Sequence, residues 1–391
     1  MNNKFIEVDH YQKYKRKQVV SGDSFLSKKI KEQDRVISVL SDGLGSGIKA
    51  SVLSILTSTM GLNYSSNDFD IEKTARKIMK TLPVCEKRKI SYSTFSIVDI
   101  NQEEEINIAE YDNPNFILVR NGKVINPEPE EIELNSHEYK QDILKLYNFK
   151  AQLGDRIILF TDGVTQSGMG TDRFPLGWGK EEVEDYVYEQ IEEKGNSSAR
   201  ELARAIVSKA YEFDHYEAKD DITCGVINIR KPRKLLIASG PPLDKDKDPE
   251  LARIVEDYQG KKIICGGTTA KIISRELDRE LQVEIDKNGQ EVPPHAQMEG
   301  IDMITEGILT LGKFSQRLKN RENTIRDEVL KELKEKLLNS DIIHFVVGTR
   351  INEAHQDPNI PDELGIRRNV IKEIAATLEE EYLKETKIEY I

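Results

Sequence analysis

The chain has 391 residues, about two to three times the usual domain of roughly 150 residues, so two domains are the first expectation. Its 57 Lys and Arg stand against 69 Asp and Glu, a net charge of −12, and such a field repels phosphate backbones and anionic lipid alike. Nucleic-acid and membrane-surface binding are thereby disfavoured, and no run approaches the roughly 18 apolar residues that cross a bilayer.

In chain order, apolar alternation predicts strands over 4–9, 35–41, 90–99, 104–111, 115–120, 156–161 and 222–229. Helical spacing appears over 45–63, 70–81, 180–193 and 197–213, the last with Leu202, Ala205, Ile206, Ala210 and Phe213 as its apolar residues. Turn residues such as Asn121-Gly122 join neighbouring strands into hairpins, which implies antiparallel sheet and an α+β first half. A basic, proline-containing link, Lys231-Pro232-Arg233-Lys234, then sets a boundary between 1–230 and 231–391.

Beyond it the style changes. Short apolar strands at 234–238, 261–264, 281–285 and 342–347 alternate with helical stretches at 249–258, 268–280, 312–338 and 366–384, the pattern of a doubly wound, mostly parallel α/β (Rossmann-like) domain. The stretch Glu322 to Asn339 is charge-rich and reads as a solvated helix. Asp302 and Glu306, four apart in an apolar run, would share a face if that run were helical. The N-terminal residues MNNKFIEVDHYQKYKRKQ hold no secretory pattern. Cys85, Cys224 and Cys265 are odd in number and far apart, as reduced buried thiols are. A cytoplasmic protein is expected.

Four places put an Asp where a strand should stop: Ser21-Gly22-Asp23-Ser24, Ser41-Asp42-Gly43, Thr161-Asp162-Gly163 and Lys219-Asp220-Asp221-Ile222-Thr223. Asp-Gly is ordinary turn punctuation taken singly. Four together suggest carboxylates converging on one site, where mutual repulsion calls for a hard divalent cation such as Mg²⁺ or Mn²⁺. Asp42-Gly43-Leu44-Gly45-Ser46-Gly47 could alternatively be a phosphate loop between strand and helix, but its third glycine is misplaced and its Asp would face the pyrophosphate.

The ordered motifs Val20-Ser21-Gly22-Asp23-Ser24-Phe25, Ser41-Asp42-Gly43-Leu44-Gly45-Ser46-Gly47-Ile48-Lys49-Ala50, Leu159-Phe160-Thr161-Asp162-Gly163-Val164-Thr165 and Asp220-Asp221-Ile222-Thr223 resemble the stage II sporulation protein E family. That family is a bacterial branch of the protein phosphatase 2C-like, metal-dependent serine/threonine phosphatases, and the resemblance covers about residues 4–230. It implies an αββα sandwich and two divalent cations, Mn²⁺ or Mg²⁺, whose activated water hydrolyses phosphoserine or phosphothreonine. By the family's pattern Asp42 bridges the metals and the Gly43 carbonyl completes one shell. Asp23 serves the second metal, Asp162 and Asp220 serve the first, and Asp221 supports them. Where many relatives carry a histidine after the bridging Asp-Gly, this chain has Leu44.

A basic residue before the first motif often holds phosphate in the family, which makes Lys15, Arg16 and Lys17 candidates. Arg173, in the loop 168–179 with the only tryptophan, is another; that loop is either a flap or a connection anchored by Phe174 and Trp178. Relatives often act on phosphorylated anti-sigma-factor antagonists, so a phosphoprotein of that type is the implied partner. A small phosphorylated metabolite as substrate, or a non-catalytic ligand-sensing module, are the competing classes. In the second half, Gly266, Gly267, Thr268 and Thr269 form a strand–turn–helix start, read as Thr-capped, that could cradle an anionic ligand. Ala238-Ser239-Gly240-Pro241-Pro242 ends the preceding strand beside it.

Overall fold

A computed structural model describes residues 4–67, 70–82, 93–133, 143–195, 197–283, 296–320, 327–350 and 363–391. Cys85, His137, His295 and His355, and parts of the strands expected over 90–99 and 281–285, lie outside the described residues. The chain divides into two compact units, Met1–Lys231 and Pro232–Ile391.

The first unit runs β1 (Phe5–Lys13), β2 (Asp23–Ile30), β3 (Arg35–Gly43), α1 (Ile48–Ser66), α2 (Ile71–Thr81), β4 (Ser93–Ile100), β5 (Glu105–Tyr111), β6 (Ile117–Arg120), β7 (Lys123–Ile125), β8 (Glu130–Glu133), β9 (Ile143–Lys150), β10 (Arg156–Phe160), α3 (Asp162–Thr165), α4 (Lys180–Lys194), α5 (Ala199–Phe213) and β11 (Ile222–Arg230). Two antiparallel sheets result, in the orders β1-β11-β10-β6-β7 and β2-β3-β4-β5-β9-β8.

Strand β3 shows why the layers stack. Val36 and Leu40 face the other sheet in one cluster with Val98, Leu159 and Ile227. Ile37 and Val39 face outward, packing with Ala75, Ile78 and Met79 of α2. A strand apolar on both faces needs cover on both. On the opposite sheet, α5 buries Leu202, Ala203, Ile206, Val207 and Ala210, so the apolar stripe uses Ala203 and Val207 rather than the half-buried Ala205. Its start is fixed by a capping box between Ser198 and Glu201. Asn121 and Gly122, at φ 51° and 72°, close the β6–β7 hairpin between Arg120 and Lys123.

Strands β2, β7, β8 and β9 carry weaker patterns and were not expected. Asp23 and the Asp220-Asp221 pair stand at the starts of β2 and β11 and not at strand ends, because antiparallel neighbours bring a start beside an end.

The second unit contains β12 (Lys234–Ser239), α6 (Asp248–Asp257), β13 (Lys261–Cys265), α7 (Gly267–Leu277), β14 (Gln282–Val283), β15 (Ala296–Gln297), β16 (Met303–Thr305), α8 (Ile308–Lys319), α9 (Glu328–Leu338), β17 (Ile342–Val347), α10 (Glu363–Tyr382) and β18 (Glu385–Tyr390). Parallel pairing links β16-β13-β12-β17-β18, while β14 and β15 add an antiparallel edge. One face packs against α8, α9 and α10 through Leu311, Phe314, Leu333 and Ile374. The other packs against α6 and α7 through Leu251, Val255 and Ile273.

Several expectations fail here for identifiable reasons. Met303–Thr305 is a buried strand, so Asp302 and Glu306 flank β16 instead of sharing a helix face. Asp302 accepts the Lys262 N–H at 2.8 Å. The stretch 312–338 is two helices; α9 restarts at the Asp327 cap and buries Val329, Leu330, Leu333 and Leu337, so its apolar side is core rather than solvated. Gln282–Val283 is an edge strand, not part of the parallel core. Finally, α7 is capped by Gly266 with no side-chain hydrogen bond, so neither threonine caps it.

Gly225 of β11 tests the inter-sheet packing, since a Cβ there would lie 2.2 Å from the Phe25 ring. We expect Gly225→Ala to cost roughly 1–3 kcal/mol by overpacking, measured by urea denaturation. Unchanged stability would mean that Phe25 does not fix the gap between the sheets.

Candidate active site

The four acidic motifs meet at one end of the first unit. Antiparallel pairing of β2 with β3 puts Asp23 opposite Asp42. The turn after β10 delivers Asp162 as the first residue of α3, and the turn before β11 carries Asp220 and Asp221. Asp42, Asp162 and Asp220 line a cavity of about 1000 Å³ together with Lys15 and Gln166. Asp23 sits behind it, 5% exposed, and its Oδ2 accepts the Thr161 hydroxyl at 2.8 Å.

The electrostatics are those of crowded like charges. Burial raises the Asp23 carboxyl well above the usual carboxylate range, and Asp221 and Asp162 push it further against the pull of threonine hydroxyls. Asp42 is raised by burial and then by Asp23, Asp162, Asp220 and Asp221. Asp162 is raised by burial and by Asp220, partly offset by its contact with Asp42. Gln166 Nε2 donates to Asp162 Oδ2 at 2.7 Å, and Lys15 Nζ reaches Asp220 at 3.1 Å.

Asp221 has a different job. Its two oxygens accept the backbone N–H groups of Lys15, at 3.1 Å, and Gly22, at 2.9 Å. Its carbonyl oxygen lies where a Cβ on Gly163 would come within 2.0 Å. Asp221 thus ties the first, third and fourth motifs together, and Gly163 is required by that approach. Gly43 is equally constrained, because a Cβ there would lie 2.1 Å from the Ala50 carbonyl oxygen at the start of α1. Its N–H donates to Gly22 O at 3.1 Å.

The two arginine candidates stand elsewhere. Arg16 pairs with Glu217, and Arg173 lies over the Phe174 and Phe213 rings at 4.9 and 5.4 Å; of the basic run before the first motif, Lys15 is the residue that lines the cavity. Phe174 and Trp178 are buried in the core under α5, so loop 168–179 is an anchored connection. Cys224 and Cys265 are free and buried.

Sequence reasoning missed Glu110 and Lys145, which line the same cavity from β5 and β9. Glu110 is 2% exposed, and burial pushes its carboxyl up to about 7 despite the Phe116 N–H and the Lys145 charge. A charged residue inside an otherwise apolar strand, IAEY, was the available signal.

Among the described residues no three acidic, histidine or cysteine side chains already stand at metal-holding separation. The fit to a cation rests on donor chemistry instead. The cavity offers carboxylate and carbonyl oxygens, the ligands of hard divalent ions, and the burial and mutual repulsion that raise Asp23 and Asp42 are what a bound cation would offset.

A two-sheet sandwich flanked by helices, with a carboxylate-rich cavity at its end, defines a protein phosphatase 2C-like enzyme. The chain belongs to the stage II sporulation protein E (SpoIIE) family, whose model matches residues 32–230. Metal dependence is a property of that class. The phosphatase domain of the cell fate determinant SpoIIE from Bacillus subtilis is similar at 15% identity and a TM-score of 0.45, over 59% of this chain and 94% of that one. RsbX in complex with magnesium is similar at 22% identity and a TM-score of 0.39, over 57% and 95%. A serine/threonine phosphatase from S. agalactiae is similar at 15% and 0.41, over 57% and 99%. No curated protein matches in sequence.

Two substitutions probe the cavity. Asp221→Ala strands two backbone N–H groups, and we expect a loss of roughly 2–4 kcal/mol in urea denaturation; a smaller loss would deny Asp221 its organising role. Glu110 is raised from 4.5 to about 7, so its contribution is fully present below 4.5 and is lost as pH rises through 7. Glu110→Gln should therefore gain stability relative to the parent as pH rises across that window, and a pH-independent difference would contradict the burial argument.

Proposed function

We propose that the chain is a cytoplasmic, divalent-metal-dependent protein serine/threonine phosphatase, acting on a phosphorylated regulatory protein of the anti-sigma-factor antagonist type. The second unit is read as a doubly wound, ligand-sensing domain. The observation that carries the catalytic reading is the convergence of Asp42, Asp162 and Asp220 on one cavity with Asp23 buried behind them. Among the described residues no helix is long and apolar enough to cross a membrane.

In this reading Asp23, Asp42, the Gly43 carbonyl, Asp162 and Asp220 would hold the divalent cations. Bound Mg²⁺ or Mn²⁺ would supply charge neutralisation for the phosphoryl group and acidify water at neutral pH. The protein's own groups do the rest. Thr161 holds the Asp23 carboxylate by its 2.8 Å hydrogen bond, and Gln166 holds Asp162 at 2.7 Å. Lys15 and Lys145 bring positive charge to the cavity wall, which draws a phosphate into an otherwise acidic mouth. Asp221 keeps the first and last motifs in register through backbone N–H groups, which leaves its oxygens engaged.

Hydrolysis of a phosphoserine peptide should require Mn²⁺ or Mg²⁺ and cease in EDTA. Asp42→Asn and Asp162→Asn should each lower kcat by about a hundredfold or more. Metal-independent turnover by well-folded protein would overturn the mechanism, and a strong preference for sugar or nucleotide phosphates over the peptide would overturn the substrate class.

A further inference from the structure

The parallel strands β13 and β16 end side by side, with Cys265 opposite Thr305 and Gly266 N–H bonded to Thr305 O at 2.9 Å. Each runs directly into a helix with a glycine cap: Gly266 at φ 127° before α7 and Gly307 at φ 131° before α8. The caps touch, since a Cβ on Gly307 would lie 3.1 Å from the Gly266 Cα. Among the described residues neither helix has a side-chain cap. Two helix N-termini, with their first-turn N–H groups and partial positive charge, are therefore brought together at the carboxyl edge of a parallel sheet.

A second feature points independently to a ligand. Thr269 and Thr310 occupy the same place, three residues past the cap, in α7 and α8. They are 1% and 0% exposed, and among the described residues neither hydroxyl has a hydrogen-bond partner. The Thr269 Oγ1 stands 3.3 Å from where a Cβ of Gly266 would be, so it faces the cap. A buried hydroxyl without a partner is costly, and here the cost recurs at the same position of two helices whose caps touch. There is room at the start of α7: among the described residues a Cβ on Gly267 meets no heavy atom within 4 Å.

We infer that the joined N-termini of α7 and α8, with the Thr269 and Thr310 hydroxyls, form a binding site for the phosphate group of a small phosphorylated metabolite. Gly266–Thr269 contains no lysine, and Glu306 adds negative charge at the same edge, so one phosphate suits the site better than a polyphosphate. Only the regulatory meaning of this site rests on the reading of the second unit as a sensor.

The test uses the full chain in EDTA, where the unneutralised carboxylates of the first unit repel phosphate. Equilibrium dialysis with labelled inorganic phosphate at fixed ionic strength should show saturable millimolar binding. Gly267→Asp, which the open space accommodates, should weaken it about tenfold or more by opposing charge, and the isosteric Thr269→Val about tenfold by loss of a hydroxyl donor. AMP should compete and adenosine should not. No saturable binding, binding unchanged in Gly267→Asp, or a Thr269→Val chain that merely gains stability with binding intact would each overturn the site. Hydrolysis assayed separately with Mn²⁺ keeps the two readings apart: binding without any effect on turnover removes the sensing role and leaves the site standing.

Discussion

Mutual repulsion among buried carboxylates is the constraint on which the first unit depends. Asp23 and Asp42 are set opposite each other by strand register, and Asp162 is added by the turn after β10. Burial and neighbouring charge raise all three carboxyls above their ordinary range. A fold left to minimise its own energy would not gather such groups. The surrounding structure is arranged to hold them: Thr161 on Asp23, Gln166 on Asp162, and Asp221 closing the loops through two backbone N–H groups. Two glycines, Gly43 and Gly163, exist at points where backbone meets backbone and no side chain fits. The chain's stability is thereby given up locally for a site that, on the proposed function, a divalent cation would complete.

The sequence made much of this legible, because the function is written in short turns. Asp42-Gly43 and Asp162-Gly163 carry their chemistry and their backbone requirement in adjacent residues. What stayed hidden depends on pairing between distant strands. Nothing around Asp23 says that it opens a strand paired with β3, and nothing near Lys15 says that its side chain reaches Asp220 while Arg16 turns to Glu217. Asp221 is expected only as a support beside Asp220; what it supports is out of view, because its partners, Lys15 and Gly22, are some two hundred residues away in the chain. Glu110 was passed over because the strand around it is apolar, although that contrast was itself the clue.

The second unit shows the opposite balance. Four of its strands are legible as apolar runs, but three-residue β16 is not, and the four-residue spacing of Asp302 and Glu306 leaves a helix open there. Correcting that element matters functionally. Only when Met303–Thr305 is a strand does Gly307 fall beside Gly266 and bring two helix starts together. The two units thus present contrasting electrostatics: an acidic cavity suited to cations in one, and paired helix N-termini suited to an anion in the other. On the two proposals, phosphate would be bound with divalent cations in the first unit and by backbone N–H groups in the second.

The central claim is that the carboxylates of the first unit hold divalent cations. Titration of the full chain with Mn²⁺, followed by loss of the free-ion electron paramagnetic resonance signal, measures this without reference to any substrate. The account predicts stoichiometric uptake that is sharply weakened in Asp42→Asn. Uptake that is absent in the parent, or equal in parent and variant, would contradict it.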